Sequence, residues 1–181
     1  MSRGLALVLP GRGYPPAAPL LHFARQALVQ HDFAARAVAW ASDPTTPSED
    51  EADSWVRRHV EEAVAQEGGA EPALLVGKSL GTRAASYAAE RGIPAIWLTP
   101  LLTVPEVADA IAANPARQLV VGGLADELWD AEVAERLLRG GCDVLEIPDA
   151  DHSMGTRDAV RSAEIQYAVA EATELFLRSL G

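Results

Sequence analysis

The sequence predicts one three-layer, doubly wound α/β domain around a mostly parallel sheet of about six strands. Two features predict it. Short apolar runs of strand length alternate with segments of helical periodicity along all 181 residues. The connections between them are short, and no internal repeat, low-complexity tract or linker divides the chain.

Gly4 to Leu9 is a continuous apolar run, the pattern of a strand covered on both faces. Pro15 to Gln30 carries Leu20, Leu21, Ala24 and Leu28 at helical spacing. Ala37 to Ala41 reads as the second strand, and Ser42 to Thr46 as a Pro/Thr/Asp loop. Ser48 or Asp50 can cap a helix running to about Gln66, and Gly68-Gly69 stops it. Ala73 to Val76 is a strand, Leu80 to Arg91 a helix and Ala95 to Leu98 a strand. Val104 to Ala113 is a helix and Leu119 to Val121 a strand. Asp130 to Arg139 is a helix and Val144 to Ile147 a strand. A long amphipathic helix, about Asp158 to Leu180, completes the alternation.

Composition narrows the function. Apolar residues make up 49% of the chain, an ordinary share for a globular protein. A chain of this length buries roughly 70% of its unfolded surface, enough for a core without staples. No apolar run approaches the roughly 20 residues that span a bilayer. Leu5 to Leu9 is too short for a signal-peptide core of about 7–15 residues. The formal charge of −11 repels nucleic acid and anionic membrane, so neither is an expected partner. Acidic residues concentrate between Ser48 and Asp53, in a loop and helix start. The single cysteine, Cys142, permits no internal disulfide, which fits a cytoplasmic protein. Gly140-Gly141-Cys142-Asp143-Val144 reads as a turn entering a strand, with Cys142 a buried structural residue. The basic residues are 14 Arg and one Lys, Lys78.

In a doubly wound sheet, ligands bind beyond the carboxyl ends of the strands. The segments that follow strands therefore matter most. After Ala73 to Val76 comes Gly77-Lys78-Ser79-Leu80-Gly81. Gly77-Lys78-Ser79 resembles the end of a phosphate-binding loop, and the pentapeptide is also G-x-S-x-G. The phosphate loop needs a glycine five residues before Gly77, and Pro72 stands there. Ala73 to Val76 is apolar strand, with no cradle of N–H groups for a phosphate. G-x-S-x-G needs a sharp strand-to-helix turn with glycines where backbones crowd. That context is present: the strand runs straight into Gly77, Ser79 sits at the apex, and Ala84, Ala85 and Ala88 continue a tightly packing helix.

A serine nucleophile needs a base, and the base an orienting carboxylate. Of the four histidines, His22, His31 and His59 fall on helices. His152 falls in the loop after the last strand, Pro148-Asp149-Ala150-Asp151-His152-Ser153-Met154. Gly122-Gly123-Leu124-Ala125-Asp126-Glu127 follows the preceding strand, and Asp126 is the expected acid. Glu127 and Asp130 are the alternatives, Asp130 being placed to cap the next helix. Asp149 and Asp151 are expected to shape the histidine loop. An oxyanion needs two preorganised N–H donors. Leu80, following Ser79, offers one. The loop after the first strand, Pro10-Gly11-Arg12-Gly13-Tyr14-Pro15-Pro16, offers the other at Arg12, with Gly11 or Gly13 as alternatives.

With LPGRG, GKSLG, GGLADE and DADHSM in this order, the chain resembles the α/β-hydrolase superfamily over nearly its whole length. The resemblance implies Ser79 as nucleophile, His152 as general base and Asp126 as its orienter, with backbone donors at Leu80 and Arg12. Pro10 stands where the family often has histidine. Two N-terminal strands common in the family are missing, which implies a minimal α/β-hydrolase fold whose sheet begins at the family's third strand. The implied reaction is acyl transfer from a small-molecule ester or thioester to water, with no cofactor and no metal. Thr99 to Val104 leaves no space for an inserted lid, so the site is expected to be open and lined by Tyr14, Leu101, Trp129 and Met154. Arg12 and Lys78 could favour an anionic substrate group, but a solvated side chain is the expectation for both. Two other readings stand beside the hydrolase: an acyltransferase on the same scaffold, and a catalytically silent binding or regulatory module. The sequence does not specify an oligomeric state.

Overall fold

A computed structural model describes residues 2–40 and 47–181. Six strands form one sheet in the order β2-β1-β3-β4-β5-β6, and every neighbouring pair is parallel. The strands are β1 (Gly4–Leu9), β2 (Phe33–Ala37), β3 (Leu74–Lys78), β4 (Ala95–Leu98), β5 (Gln118–Gly123) and β6 (Asp143–Ile147). The helices are α1 (Pro19–Gln30), α2 (Ala52–Gln66), α3 (Ala85–Arg91), α4 (Pro105–Ala113), α5 (Ala131–Arg139) and α6 (Ala159–Ser179).

Successive side chains of a strand point to opposite faces, and two cores result. On one face Ala6, Val8, Leu74, Val76, Ile96 and Val121 pack against α1 and α6. On the other, Leu7, Leu9, Leu75, Trp97 and Val120 pack against α2, α3, α4 and α5. The chain begins inside the sheet, steps outward to β2, and returns past β1 to β3. The winding therefore reverses between β1 and β3, which pair from Ala6↔Leu74 to Leu9↔Gly77. Such a reversal opens a crevice at the carboxyl ends of the two strands.

The element boundaries depart from the sequence expectation in three places. The second strand is Phe33–Ala37, four residues before the expected Ala37 to Ala41. Asp32 takes φ 62° and turns the chain from α1 straight into the sheet. This strand is an edge with one packed side, so its buried Phe33 alternates with exposed residues and forms no solid apolar run. Ala41 and the expected loop Ser42 to Thr46 lie outside the described residues. Helix α1 begins at Pro19 rather than Pro15, because a proline serves at the first helical position and the residues before it form a turn closed by Ala18 N–H to Pro15 O at 2.9 Å. The helix expected from Leu80 opens as a 3-10 helix, Ser79–Ala84, before α3.

Two charged contacts fix elements near the crevice. Arg83, buried on the 3-10 helix, pairs with Asp53 at the start of α2 at 2.8 Å and with Glu49 in the 3-10 turn before it. Asp130 caps α5, accepting from Glu132 N–H at 3.0 Å and Val133 N–H at 3.1 Å.

Candidate active site

Strand β3 ends at Lys78, and the next residue, Ser79, takes φ 51°. A non-glycine residue in the left-handed region stores roughly 1–3 kcal/mol and persists only where its surroundings hold it. Here the surroundings are visible. A Cβ on Gly77 would lie 2.8 Å from Gly81 O and from the Trp97 ring. A Cβ on Gly81 would lie 2.3 Å from Leu9 O on the neighbouring strand. Glycine is required at both positions by close approach of backbone. The Thr82 hydroxyl donates to Ser79 O at 2.6 Å and fastens the turn from below.

The loops after β5 and β6 meet at this turn. Leu124 N–H donates to Ile147 O at 3.0 Å, and Ala125 N–H to Ala150 O at 3.1 Å. The structure thereby brings together three of the residues singled out in the sequence. His152 Nε2 lies 2.8 Å from Ser79 Oγ. His152 Nδ1 lies 2.7 Å from Asp126 Oδ2. The carboxylate of Asp126 is buried, and its other oxygen accepts from Leu128 N–H at 2.9 Å. Asp126 is thus held at both oxygens, while His152 is partly exposed between it and the serine.

The alternative acids are elsewhere. Asp130 is the α5 cap, and Glu127 is exposed. Asp149 and Asp151 shape the histidine loop as expected. Asp151 Oδ1 accepts from Ser153 N–H at 2.8 Å and Gly155 N–H at 3.1 Å. Asp149 pairs with Arg161 of α6 at 2.8 Å, which holds the Asp149 carboxyl below the usual range. The other histidines lie away from Ser79: His31 pairs with Glu174 at 2.9 Å, and His59 Nδ1 lies 2.8 Å from Trp55 O.

The loop after β1 passes directly over the serine. A Cβ on Gly11 would lie 3.2 Å from Ser79 Cβ, 3.2 Å from Tyr14 Cβ and 2.9 Å from Lys78 Cδ. The backbone from Gly11 to Gly13 and the Leu80 backbone at the start of the 3-10 helix therefore flank Ser79. Gly13 takes φ 68° and closes the turn. The Arg12 side chain leans away, its Nη2 donating to Pro47 O at 3.3 Å.

Beside this loop is a cavity of about 450 Å³ lined by Tyr14, Pro16, Val38, Trp40, Trp55 and Leu80, among others. Trp40 and Trp55 pack with ring centroids 5.0 Å apart at a tilt of 52°, and Trp40 Nε1 donates to Pro10 O at 2.7 Å. Sequence reasoning missed both tryptophans. Trp40 falls in the expected strand Ala37 to Ala41 and Trp55 in the expected helix ending near Gln66, and nothing in either pattern links them to Pro10.

Of the expected lining residues, only Tyr14 borders this cavity. Leu101, Trp129 and Met154 do not border it and pack within the two cores. The Trp129 ring covers Gly122 and its Nε1 donates to Glu146 at 2.7 Å, and Met154 turns inward at φ 54°. Lys78 is a further correction. Its side chain was expected in solvent, but the residue is 2% exposed, with Nζ 4.8 Å from the centroid of the Tyr14 ring. Burial lowers its pKa to about 8, against the opposing charges of Asp126 and Asp151.

Among the described residues no cluster of His, Cys, Asp and Glu could hold a metal ion, and no helix is long and apolar enough to cross a membrane.

No family model matches the sequence, and no curated protein matches it. Solved structures do resemble it. Est1E from Butyrivibrio proteoclasticus superposes with a TM-score of 0.73 at 16% identity, over 98% of this chain and 88% of its own. An α/β serine hydrolase without a lid from Xanthomonas campestris gives 0.70 at 19% identity, over 97% and 83%. An α/β serine hydrolase homologue from Coxiella burnetii gives 0.68 at 16% identity, over 98% and 85%. Likeness at such identities is likeness of architecture. The chain has the α/β-hydrolase fold.

Proposed function

We propose that the protein is a serine hydrolase that cleaves a small ester or thioester through an acyl-enzyme on Ser79. The observation that carries this reading is the continuous chain of contacts from Ser79 Oγ through His152 to buried Asp126, starting at a strained turn. The fold alone would not license it, because one fold hosts many functions.

In this reading Ser79 Oγ attacks the carbonyl carbon while His152 Nε2 takes its proton. Asp126, hydrogen-bonded to Nδ1–H, fixes the ring orientation and stabilises the imidazolium. The oxyanion receives the N–H groups of Leu80 and Arg12, each worth roughly 3 kcal/mol in such a site. When the tetrahedral intermediate collapses, the carbon–oxygen or carbon–sulfur bond breaks and His152 returns the proton to the leaving group. Water then attacks the acyl-enzyme, giving its proton to His152, and the free acid and Ser79 hydroxyl are released. These steps use only side chains and backbone, and they ask for a small-molecule substrate and no cofactor. The apolar cavity beside Leu80 and Tyr14 is the natural seat for an acyl chain.

The test is labelling by a fluorophosphonate probe. The folded wild type is expected to label, and Ser79→Ala and His152→Ala are expected to lose it. Asp126→Asn is expected to lower ester turnover by about 10⁴-fold, since the amide favours the wrong imidazole tautomer. A folded wild type that does not label would overturn the mechanism and bring the silent binding module forward.

A further inference from the structure

Lys78 is the only lysine of the chain, and it adjoins Ser79. Its side chain is almost wholly covered, with the stem under Gly11 and the ammonium over the face of Tyr14. Yet no hydrogen bond or ion pair holds that ammonium among the described residues. The two nearest anions are occupied. Asp126 serves His152 and Leu128 N–H, and Asp151 accepts from the backbone of its own loop. The Tyr14 hydroxyl accepts from Leu20 N–H at 3.1 Å. A buried charge is ordinarily paired, because desolvation without a partner is expensive. The other buried cation near the site, Arg83, obeys that rule with Asp53 and Glu49. Among the described residues Lys78 has no anionic partner, and its Nζ keeps a small opening to solvent beside Ser79.

We propose that Lys78 sets substrate specificity, its ammonium receiving a carboxylate carried by the ester or thioester. The ring face of Tyr14 supports one side of the ammonium, leaving its remaining N–H groups to the incoming anion. A lone ammonium matches a singly charged carboxylate. A phosphate dianion would call for more donors than this site gathers. The acidic surface of the molecule makes such a local cation more consequential, since it offers an anionic substrate attraction next to Ser79.

This inference rests on the hydrolase reading, and the experiment separates the two. Two matched pairs of esters differ only in a carboxylate. In one pair, p-nitrophenyl butyrate and p-nitrophenyl hemiglutarate, it sits on the acyl chain. In the other, phenyl acetate and 3-carboxyphenyl acetate, it sits on the leaving group. The quantity read is the ratio of kcat/KM for the anionic over the neutral ester. In Lys78→Met and Lys78→Gln this ratio is expected to fall at least tenfold in one pair, with partial recovery in Lys78→Arg. A ratio unchanged in both pairs overturns the proposal. A purely structural lysine would lower both members of a pair together and leave the ratio where it was. If the wild type hydrolyses none of the four esters, the hydrolase reading fails by itself, and binding of glutarate decides the site. Thermal stabilisation of the wild type by glutarate that is absent in Lys78→Met supports the anion site. Equal or no stabilisation in both overturns it.

Discussion

Lys78 carries a cost in stability as well as a charge. Desolvation lowers its pKa from 10.5 to about 8, opposed in part by Asp126 and Asp151. A shift of that size corresponds to about 3 kcal/mol of preference for the neutral amine in the folded chain. Below pH 8 the group is charged in both the folded and the unfolded chain, so the full penalty acts against folding. Between pH 8 and 10.5 the folded chain has released the proton that the unfolded chain still holds, and stability rises with pH. Above that range the penalty is gone. Lys78→Met keeps the volume and removes the charge, so it is expected to exceed the wild type by up to about 3 kcal/mol at pH 7. The advantage should shrink to near zero by pH 10.5, read from urea midpoints across the series. No gain at pH 7 would mean that the ammonium is already compensated where it lies. The cluster of Ser79, Asp126 and His152 was legible in the sequence because each follows a strand, and the fold gathers strand ends. Depth was not legible. Lys78, Trp129 and Met154 also follow or end strands, but whether such a side chain faces solvent depends on the loop that crosses it, and that loop is distant in sequence.

The turn from β3 into the 3-10 helix is the element on which the site depends, and its glycines differ in kind from Gly13 of the β1 loop. Gly81 is crowded: a methyl group would meet the Leu9 carbonyl of the adjacent strand. Gly13 is open: nothing lies within 4 Å of its Cβ position, and only its φ of 68° disfavours a side chain. Gly13→Ala is therefore expected to cost about 1–2 kcal/mol through the left-handed backbone alone. Gly81→Ala must separate β1 from the turn, and overpacking of this kind costs about 1–3 kcal/mol or more. It is expected to cost more stability than Gly13→Ala and to abolish fluorophosphonate labelling as well. Denaturation midpoints and labelling of the two variants check the order, and equal losses would contradict the steric account of the turn. Interior strands were legible here because both faces are covered, which leaves unbroken apolar runs such as Leu5 to Leu9. Of the two edge strands, β6 was legible and β2 was not. Its alternation of Phe33 with exposed neighbours resembles a loop, while the apolar run just after it drew the assignment four residues too far.

For the molecule as a whole, alternation of strands and helices was legible, but the strand order was not. Short connections require neighbouring elements to be close, without stating on which side of β1 the chain returns. That choice decides where the winding reverses, and so where Ser79 and the Gly11 loop meet. It also ties the two cores to one sheet, because every interior strand sends residues into both. The α1–α6 layer packs on the reverse of the same strands that face α2 through α5. Neither layer retains its apolar partner once the sheet is lost, and the reversal places the first strand at the sheet's interior rather than at an edge. We therefore expect one cooperative unfolding transition. The four tryptophans test it well, since Trp55, Trp97 and Trp129 belong to the α2–α5 core and Trp40 packs against it. Their fluorescence reports that layer alone. Far-UV circular dichroism has its largest helical contribution from α6, 21 residues long, on the opposite face. Coincident urea transitions by the two probes are expected. Loss of ellipticity ahead of the fluorescence change would show that α1 and α6 leave the sheet first. The loop of His152, joined to α6 through the Asp149–Arg161 pair, would then separate from Ser79 before the rest of the fold gives way.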